Sequence, residues 1–174
     1  MKGYVHIYCG DGKGKTTAAV GLAVRAAGRG KRVVIARFLK TEDSGEVEVL
    51  RSIPGITVLP CEKTFGFYFQ MTEDQKREAA RYYSQLLERA WSAATDNQTD
   101  LLILDEIMAA CTCHLVDEER LCQFLDNRPG RLEVVMTGRN PSEELQARAD
   151  YISEVKKGKH PFDHGVAARE GIEY

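Results

Sequence analysis

The run Gly10-Asp11-Gly12-Lys13-Gly14-Lys15-Thr16-Thr17 combines the residue types that hold a polyphosphate. Glycines let successive backbone N–H groups curl around phosphate oxygens, where side chains would obstruct them. A helix opening near Lys15 would aim its positive dipole end at the same anion. Lys15 adds a mobile point charge, and the Thr16 hydroxyl is placed to hold Mg²⁺. The alternative is a glycine-rich turn carrying Gly-Lys-Thr by chance, but the flanks argue for a P-loop. Tyr4 to Tyr8 reads as a short strand and the small, apolar run to Ala27 as a helix. In the standard motif four residues separate the first glycine from the Gly-Lys pair. That first position is Cys9 here, so the loop counted from Gly10 is one residue shorter. Such a cradle should hold polyphosphate differently from an ordinary ATPase loop.

A second group follows Leu101 to Leu104, where Asp105-Glu106 ends a strand. The first carboxylate of such a pair orients Mg²⁺ directly or through water. The second can activate a hydrolytic water or ligate the metal, and an acidic helix start is the plain alternative. Thr137-Gly138-Arg139, at the end of the next strand, could bring a donor or a guanidinium to the phosphates, or leave Arg139 on the surface. Cys111, Cys113 and His114 lie close together, but no second CxxC or HxxxH completes a ligand set. Half-buried small side chains near a helix end explain them better.

These groups need a frame. Gly28 and Gly30 stop the first helix, and Arg32 to Leu39 is a second strand with a continuous apolar run from Val33 to Ala36. Such runs suit strands buried on both faces of a parallel sheet. A short helix closes over Leu50 to Pro54, and Ile56 to Leu59 is a third strand. After an irregular segment, Thr72-Glu73-Asp74-Gln75 is a capping box that opens the longest helix, to about Thr95. Its apolar positions recur at helical spacing and place Trp91 in the core. Leu101 to Leu104 is the fourth strand, Asp117 caps a helix to Asn127, and Glu133 to Met136 is the fifth strand. Asn140-Pro141-Ser142-Glu143 reads as an N-cap with proline at N1, opening a helix to Ala149. Tyr151 to Val155 is a sixth strand, and the tail from Gly158 has no clear periodicity. Strands alternating with helices indicate a doubly wound α/β sheet, one domain over residues 1–174.

Composition excludes several classes. The chain has 174 residues, 43% hydrophobic and 29% charged, which is neither disordered nor membrane-embedded. Twenty-four basic against 26 acidic residues leave a net charge of −2, without the basic face that nucleic acid usually requires. No apolar run approaches the ~18 residues of a membrane span, and no basic-then-apolar leader is visible. The five cysteines are odd in number and irregularly spaced, as expected for reduced thiols in a cytoplasmic protein.

The run from Gly10 to Ala19 resembles the P-loop of the ATP:corrinoid adenosyltransferases. The resemblance continues through Phe38-Leu39-Lys40, Gly45-Glu46, Gly66-Phe67-Tyr68-Phe69, Leu104-Asp105-Glu106 and Thr137-Gly138-Arg139. It ends with Lys159-His160-Pro161-Phe162 and Gly171-Ile172-Glu173-Tyr174, and so covers nearly the whole chain. It implies a RecA-like P-loop fold, a mostly parallel six-stranded sheet flanked by helices, in the strand order 3-2-4-5-1-6.

The implied reaction is at carbon. Co(I) of a reduced corrinoid, cobalamin or cobyrinic acid a,c-diamide, attacks the 5′ carbon of ATP and expels triphosphate. In this family ATP lies in the loop in the reverse sense, which leaves C5′ open to the corrin. The nucleophile needs no protein base. Together with the motif reading above, this makes Gly10, Asp11, Gly12, Lys13, Gly14, Lys15, Thr16, Thr17 and Arg139 the expected ATP contacts, and Thr16, Asp105 and Glu106 the expected Mg²⁺ ligands. Three of the six phenylalanines are Phe65, Phe67 and Phe69, which a buried strand would alternate onto one face. The family instead uses aromatics here, Phe67 and Phe69, to pack under the corrin and displace its lower ligand. That leaves four-coordinate Co(II), which is easier to reduce. The bacterial pattern has tryptophan where this chain has Phe69. Relatives with a longer leader use it to cover the site, and the first strand here starts almost at Met1. A flavodoxin-like or other flavoprotein reductase and a homodimer are the implied partners. The rival readings are an ordinary P-loop kinase or ATPase, which would release ADP rather than triphosphate, and a nucleotide-gated regulatory module without chemistry.

Overall fold

Val33–Arg37 and Leu101–Asp105 are buried at every position, which requires a sheet covered on both faces. The computed structural model describes residues 2–96 and 98–173; Tyr174 of the quoted ending lies outside them. It contains β1 (Val5–Cys9), α1 (Lys15–Ala27), β2 (Val33–Arg37), α2 (Glu46–Ser52), β3 (Ile56–Val58) and α3 (Glu73–Asp96). These are followed by β4 (Leu101–Asp105), α4 (Ile107–Thr112), α5 (Glu118–Asp126), β5 (Glu133–Thr137), α6 (Glu143–Arg148) and β6 (Tyr151–Glu154). The six strands form one sheet in the order β3-β2-β4-β5-β1-β6, every pairing parallel. This is the order that the resemblance implied.

Strand periodicity sends alternate side chains to two cores. Val34, Ala36, Leu102, Leu104, Val134 and Met136 face α3, α4 and α5. Val33, Ile35, Leu101, Ile103 and Val135 face α1 and α2. Trp91 is partly buried against the first core and stacks on Phe124, with ring centroids 4.7 Å apart. The capping box is formed reciprocally: Thr72 N–H donates to Gln75 Oε1 (2.8 Å) and Gln75 N–H to Thr72 Oγ1 (3.3 Å).

One local expectation changes, and two features are added to the sequence reading. The helix after β5 is capped by Ser142, whose Oγ accepts from Leu145 N–H at 3.2 Å, and not by Asn140. Asn140 takes a left-handed φ of 48° as the chain leaves β5, so the helix starts only beyond Pro141. The segment that carries the phenylalanines is irregular, as expected, and the alternative of a buried strand does not form: Gly66 turns at a φ of 73° and Tyr68–Gln70 winds into a 3₁₀ turn. Phe65 packs on Tyr82 and Tyr83, while Phe67 and Phe69 are 68% and 78% exposed. A short helix that the sequence reading did not separate, α4, follows directly after Asp105-Glu106.

Candidate active site

The parallel sheet brings its carboxyl ends to one side, the usual place for a ligand in such folds. Pairing puts Arg37 beside Asp105 and Tyr8 beside Thr137, so the segments leaving β1, β2, β4 and β5 emerge together. Each turns sharply through a left-handed residue: Gly10 (φ 107°), Leu39 (57°), Glu106 (60°) and Gly138 (150°). Leu39 and Glu106 carry side chains in that region, a conformation that costs on the order of 1 kcal/mol or more each and clusters at functional sites.

Two glycines of the loop serve a contact that spacing alone did not indicate. A Cβ on Gly10 would lie 2.4 Å from Val155 O, and one on Gly12 2.8 Å from Lys156 C. The Gly12 N–H is itself taken by Val155 O at 2.8 Å, so the loop is pinned to the chain leaving β6. Asp11 adds to this clamp, accepting from Lys157 N–H at 3.0 Å, a bond that lowers its pKa. Gly14 has a φ of 119° and open space around its Cβ position. It is the N-cap of α1 and brings no side-chain cap, so the first N–H groups of the helix are left for an anion.

We expect Gly10→Ala to destabilise the protein by roughly 2–4 kcal/mol, because both its φ and its contact with backbone forbid a Cβ. The melting temperature should fall by roughly 5–15 °C. Gly14→Ala, strained in φ alone, should cost about 1 kcal/mol in the same measurement.

The loop, the β2–α2 segment and the tail enclose a cleft of about 740 Å³. Asp11, Gly12, Lys13, Gly14, Lys15, Thr16, Thr17, Glu106 and Arg139 all line it, so nearly every expected nucleotide contact converges. Gly10 sits behind it on β6, as its contacts require. Lys15 is 8% exposed and donates from Nζ to Gly12 O at 2.8 Å, folded across its own loop. Phe67 and Phe69 are not brought into the lining; they stack on each other at 5.5 Å, exposed on their own 3₁₀ turn.

Asp105 lies under the head of α1, with 2% of its surface exposed. Thr16 Oγ1 donates to its Oδ1 at 3.0 Å, and Thr137 Oγ1 donates to the same oxygen at 2.6 Å. Thr137 Oγ1 also accepts the Glu106 N–H at 2.9 Å, which ties the two carboxylate residues to the end of β5. The Glu106 carboxyl is raised in pKa by burial first and by the Asp105 charge second, against Lys40, Lys15 and Arg139. Lys40 belongs to the Phe38-Leu39-Lys40 run, for which the resemblance implies no role. It reaches Asp105 Oδ2 at 2.6 Å and Thr16 Oγ1 at 2.9 Å. Its only sequence signal is a cation just past a strand that pairs with β4, and the pairing is a tertiary fact.

The tail closes the far side. His160, Gly171, Ile172 and Glu173 line the cleft, and Arg169 grips Glu173 through Nη2 at 2.9 Å and Nε at 3.1 Å. That guanidinium holds the Glu173 carboxyl down to about 2. Among the described residues no group of three His, Cys, Asp or Glu side chains could hold a metal ion, and Cys111, Cys113 and His114 form no such centre. No described helix is long and apolar enough to cross a membrane.

The whole chain, residues 1–174, matches the family described as ATP:corrinoid adenosyltransferase BtuR/CobO/CobP. It is 34% identical to the corrinoid adenosyltransferase of Escherichia coli strain K12, over 99% of this chain and 86% of that one. It is also 34% identical to corrinoid adenosyltransferase CobA of Salmonella typhimurium strain LT2, again over 99% and 86%. Among solved structures, a KaiC-like protein of Pyrococcus horikoshii OT3 aligns over 91% of this chain and 75% of its own, at 14% identity and a TM-score of 0.49. With the short loop, the paired carboxylates and the strand order all in place, the chain belongs to the ATP:corrinoid adenosyltransferase family.

Proposed function

We infer that this chain performs its family's reaction, adenosylation of a corrinoid by ATP, in the cleft at the head of α1. The carrying observation is convergence: Lys13, Lys15, Lys40, Arg139 and the free N–H groups of α1 all face one cavity. Triphosphate leaves with about four negative charges, and preorganised donors of this kind stabilise charge as it develops. Co(I) of the reduced corrinoid supplies the electron pair that forms the Co–C bond, and the C5′–O bond electrons depart with triphosphate. The protein's task is then alignment of C5′ and electrostatic reception of the leaving group.

The Thr16 hydroxyl and the Asp105 and Glu106 carboxyls are hard oxygen donors, and a cationic group already sits against Thr16 and Asp105, so they fit Mg²⁺. They would hold it, and when bound it supplies charge neutralisation on the polyphosphate. Thr137 orients Asp105 for this through its 2.6 Å hydrogen bond.

Phe67 and Phe69 present a stacked, exposed apolar surface that suits the underside of a corrin, where they would displace its lower ligand. A flavoprotein of the flavodoxin type would deliver the electron, and a homodimer is the expected assembly. All five cysteines are free thiols, which agrees with a cytoplasmic site.

Anaerobic incubation with ATP, Mg²⁺ and chemically reduced corrinoid tests the reading. A light-sensitive Co–C product should appear with stoichiometric triphosphate. In the same assay Glu106→Gln should weaken activity and Mg²⁺ dependence together, with negligible ATP hydrolysis in the absence of corrinoid in either protein. Brisk hydrolysis to ADP by the wild type, abolished by this change, would identify an ordinary ATPase.

A further inference from the structure

We propose that Lys40 is an internal cation that occupies the metal-facing side of Asp105 and Thr16 in the nucleotide-free protein, so that a divalent ion can enter only when a polyphosphate draws Lys40 away. The inference rests on the metal reading above and adds to it an order of binding.

The geometry makes the competition unavoidable. Lys40 Nζ lies 2.6 Å from Asp105 Oδ2 and 2.9 Å from Thr16 Oγ1. These are two of the oxygens that would ligate the ion, and a dication cannot share them with an ammonium at such distances. The Asp105 side chain is 3% exposed, so its carboxylate would be poorly solvated without a cation beside it. Lys40 meets that need while the cleft is empty of metal.

The residue is built to let go. Its backbone is anchored from both sides: Lys40 O accepts from Cys61 Sγ at 3.0 Å, and Thr41 O accepts from Arg37 Nη1 at 2.8 Å. The Arg37 guanidinium, 2% exposed, also holds Glu42 Oε1 at 3.0 Å, and Glu42 accepts from Cys61 N–H at 2.6 Å. Leu39, immediately before Lys40, has a left-handed φ of 57°. The Lys40 side chain itself is 23% exposed and lines the same cleft as Lys13 and Lys15. A flexible four-carbon stem on a fixed root can move its charge from carboxylate to phosphate. Polyphosphate and metal then bind with positive coupling, because each favours the state in which Lys40 has left Asp105.

The test measures Mn²⁺ binding by the paramagnetic signal of the free ion, with and without ATP, in the wild type and in Lys40→Met, Lys40→Gln, Lys40→Arg and Asp105→Asn. Without ATP, Lys40→Met and Lys40→Gln should bind Mn²⁺ about tenfold or more tighter than wild type. Their gain in Mn²⁺ affinity on adding ATP should shrink by a similar factor. Mn²⁺ should raise the melting temperature of these two variants and leave nucleotide-free wild type unchanged, and Lys40→Arg should behave like wild type. Two neutral variants guard against one of them failing to fold. A merely structural lysine would lower the melting temperature of both without tightening Mn²⁺ binding, and that result overturns the proposal. If Asp105→Asn abolishes ATP-dependent Mn²⁺ binding while the neutral variants gain nothing, the metal reading stands and the role of Lys40 falls. If Asp105→Asn binds Mn²⁺ as wild type does, both fall.

Discussion

Replacing Lys15 with alanine should lower adenosyl transfer by on the order of 10²-fold or more, about 3 kcal/mol of lost transition-state stabilisation. The lysine is almost fully enclosed, and its ammonium is held at the loop by Gly12 O, so the charge is positioned before any nucleotide arrives. Its removal deletes the bond to Gly12 O but leaves the loop's other anchors in place. The clamp of Gly10 and Gly12 on Val155 and the left-handed Gly14 do not involve the side chain. The melting temperature should therefore stay within a few degrees of wild type while turnover collapses. Stopped assays with pre-reduced corrinoid give the rate, and a thermal melt gives the control. Wild-type turnover in a folded variant would remove the loop from the mechanism.

The second large effect is expected at Phe67 and Phe69, and it should depend on the oxidation state of the corrinoid supplied. Converting both to alanine should leave ATP affinity within a few-fold of wild type, since neither ring lines the cleft beside the glycine-rich loop. It should also leave stability nearly unchanged. Two buried phenylalanines would cost about 3–5 kcal/mol each on truncation, but these rings are 68% and 78% exposed. With Co(II) corrinoid and a mild reductant, turnover should drop by on the order of 10²-fold. A shift of about 120 mV in a one-electron couple would produce that drop. With corrinoid supplied as Co(I), much of the activity should return, because that species no longer holds the lower ligand. A stable double variant equally impaired with both would count against ligand displacement.

The contrast between these two places shows how legibility varies along the chain. Loop chemistry is local: glycine, lysine and threonine at fixed offsets between a strand and a helix can do little else, and the cleft assembles those residues as expected. The same holds for the capping box at Thr72, whose two hydrogen bonds span three residues. The buried runs of β2 and β4 likewise identify a sheet covered on both faces from composition alone. The aromatic segment shows the opposite case. Alternation of Phe65, Phe67 and Phe69 is compatible with a strand, and one left-handed glycine with a 3₁₀ turn sends Phe65 into the core and the other two into solvent.

By itself, then, the sequence determined the glycine-rich loop between a strand and a helix, the carboxylate pair at a strand's end, the alternation of strands and helices and the family; the loop and the pair are legible because they depend on residues near one another in the chain. Tertiary structure decided the rest. Gly10 and Gly12 are clamped to the end of β6 some 145 residues away, and no local rule connects them. Thr137 is an orienting hydroxyl for Asp105 only because β5 lies beside β4. Lys40 meets Asp105 because β2 pairs with β4, across a separation that charge patterning does not reveal. In a parallel sheet strand neighbours are set by crossover connections, so contacts at the carboxyl ends join residues that are distant in sequence.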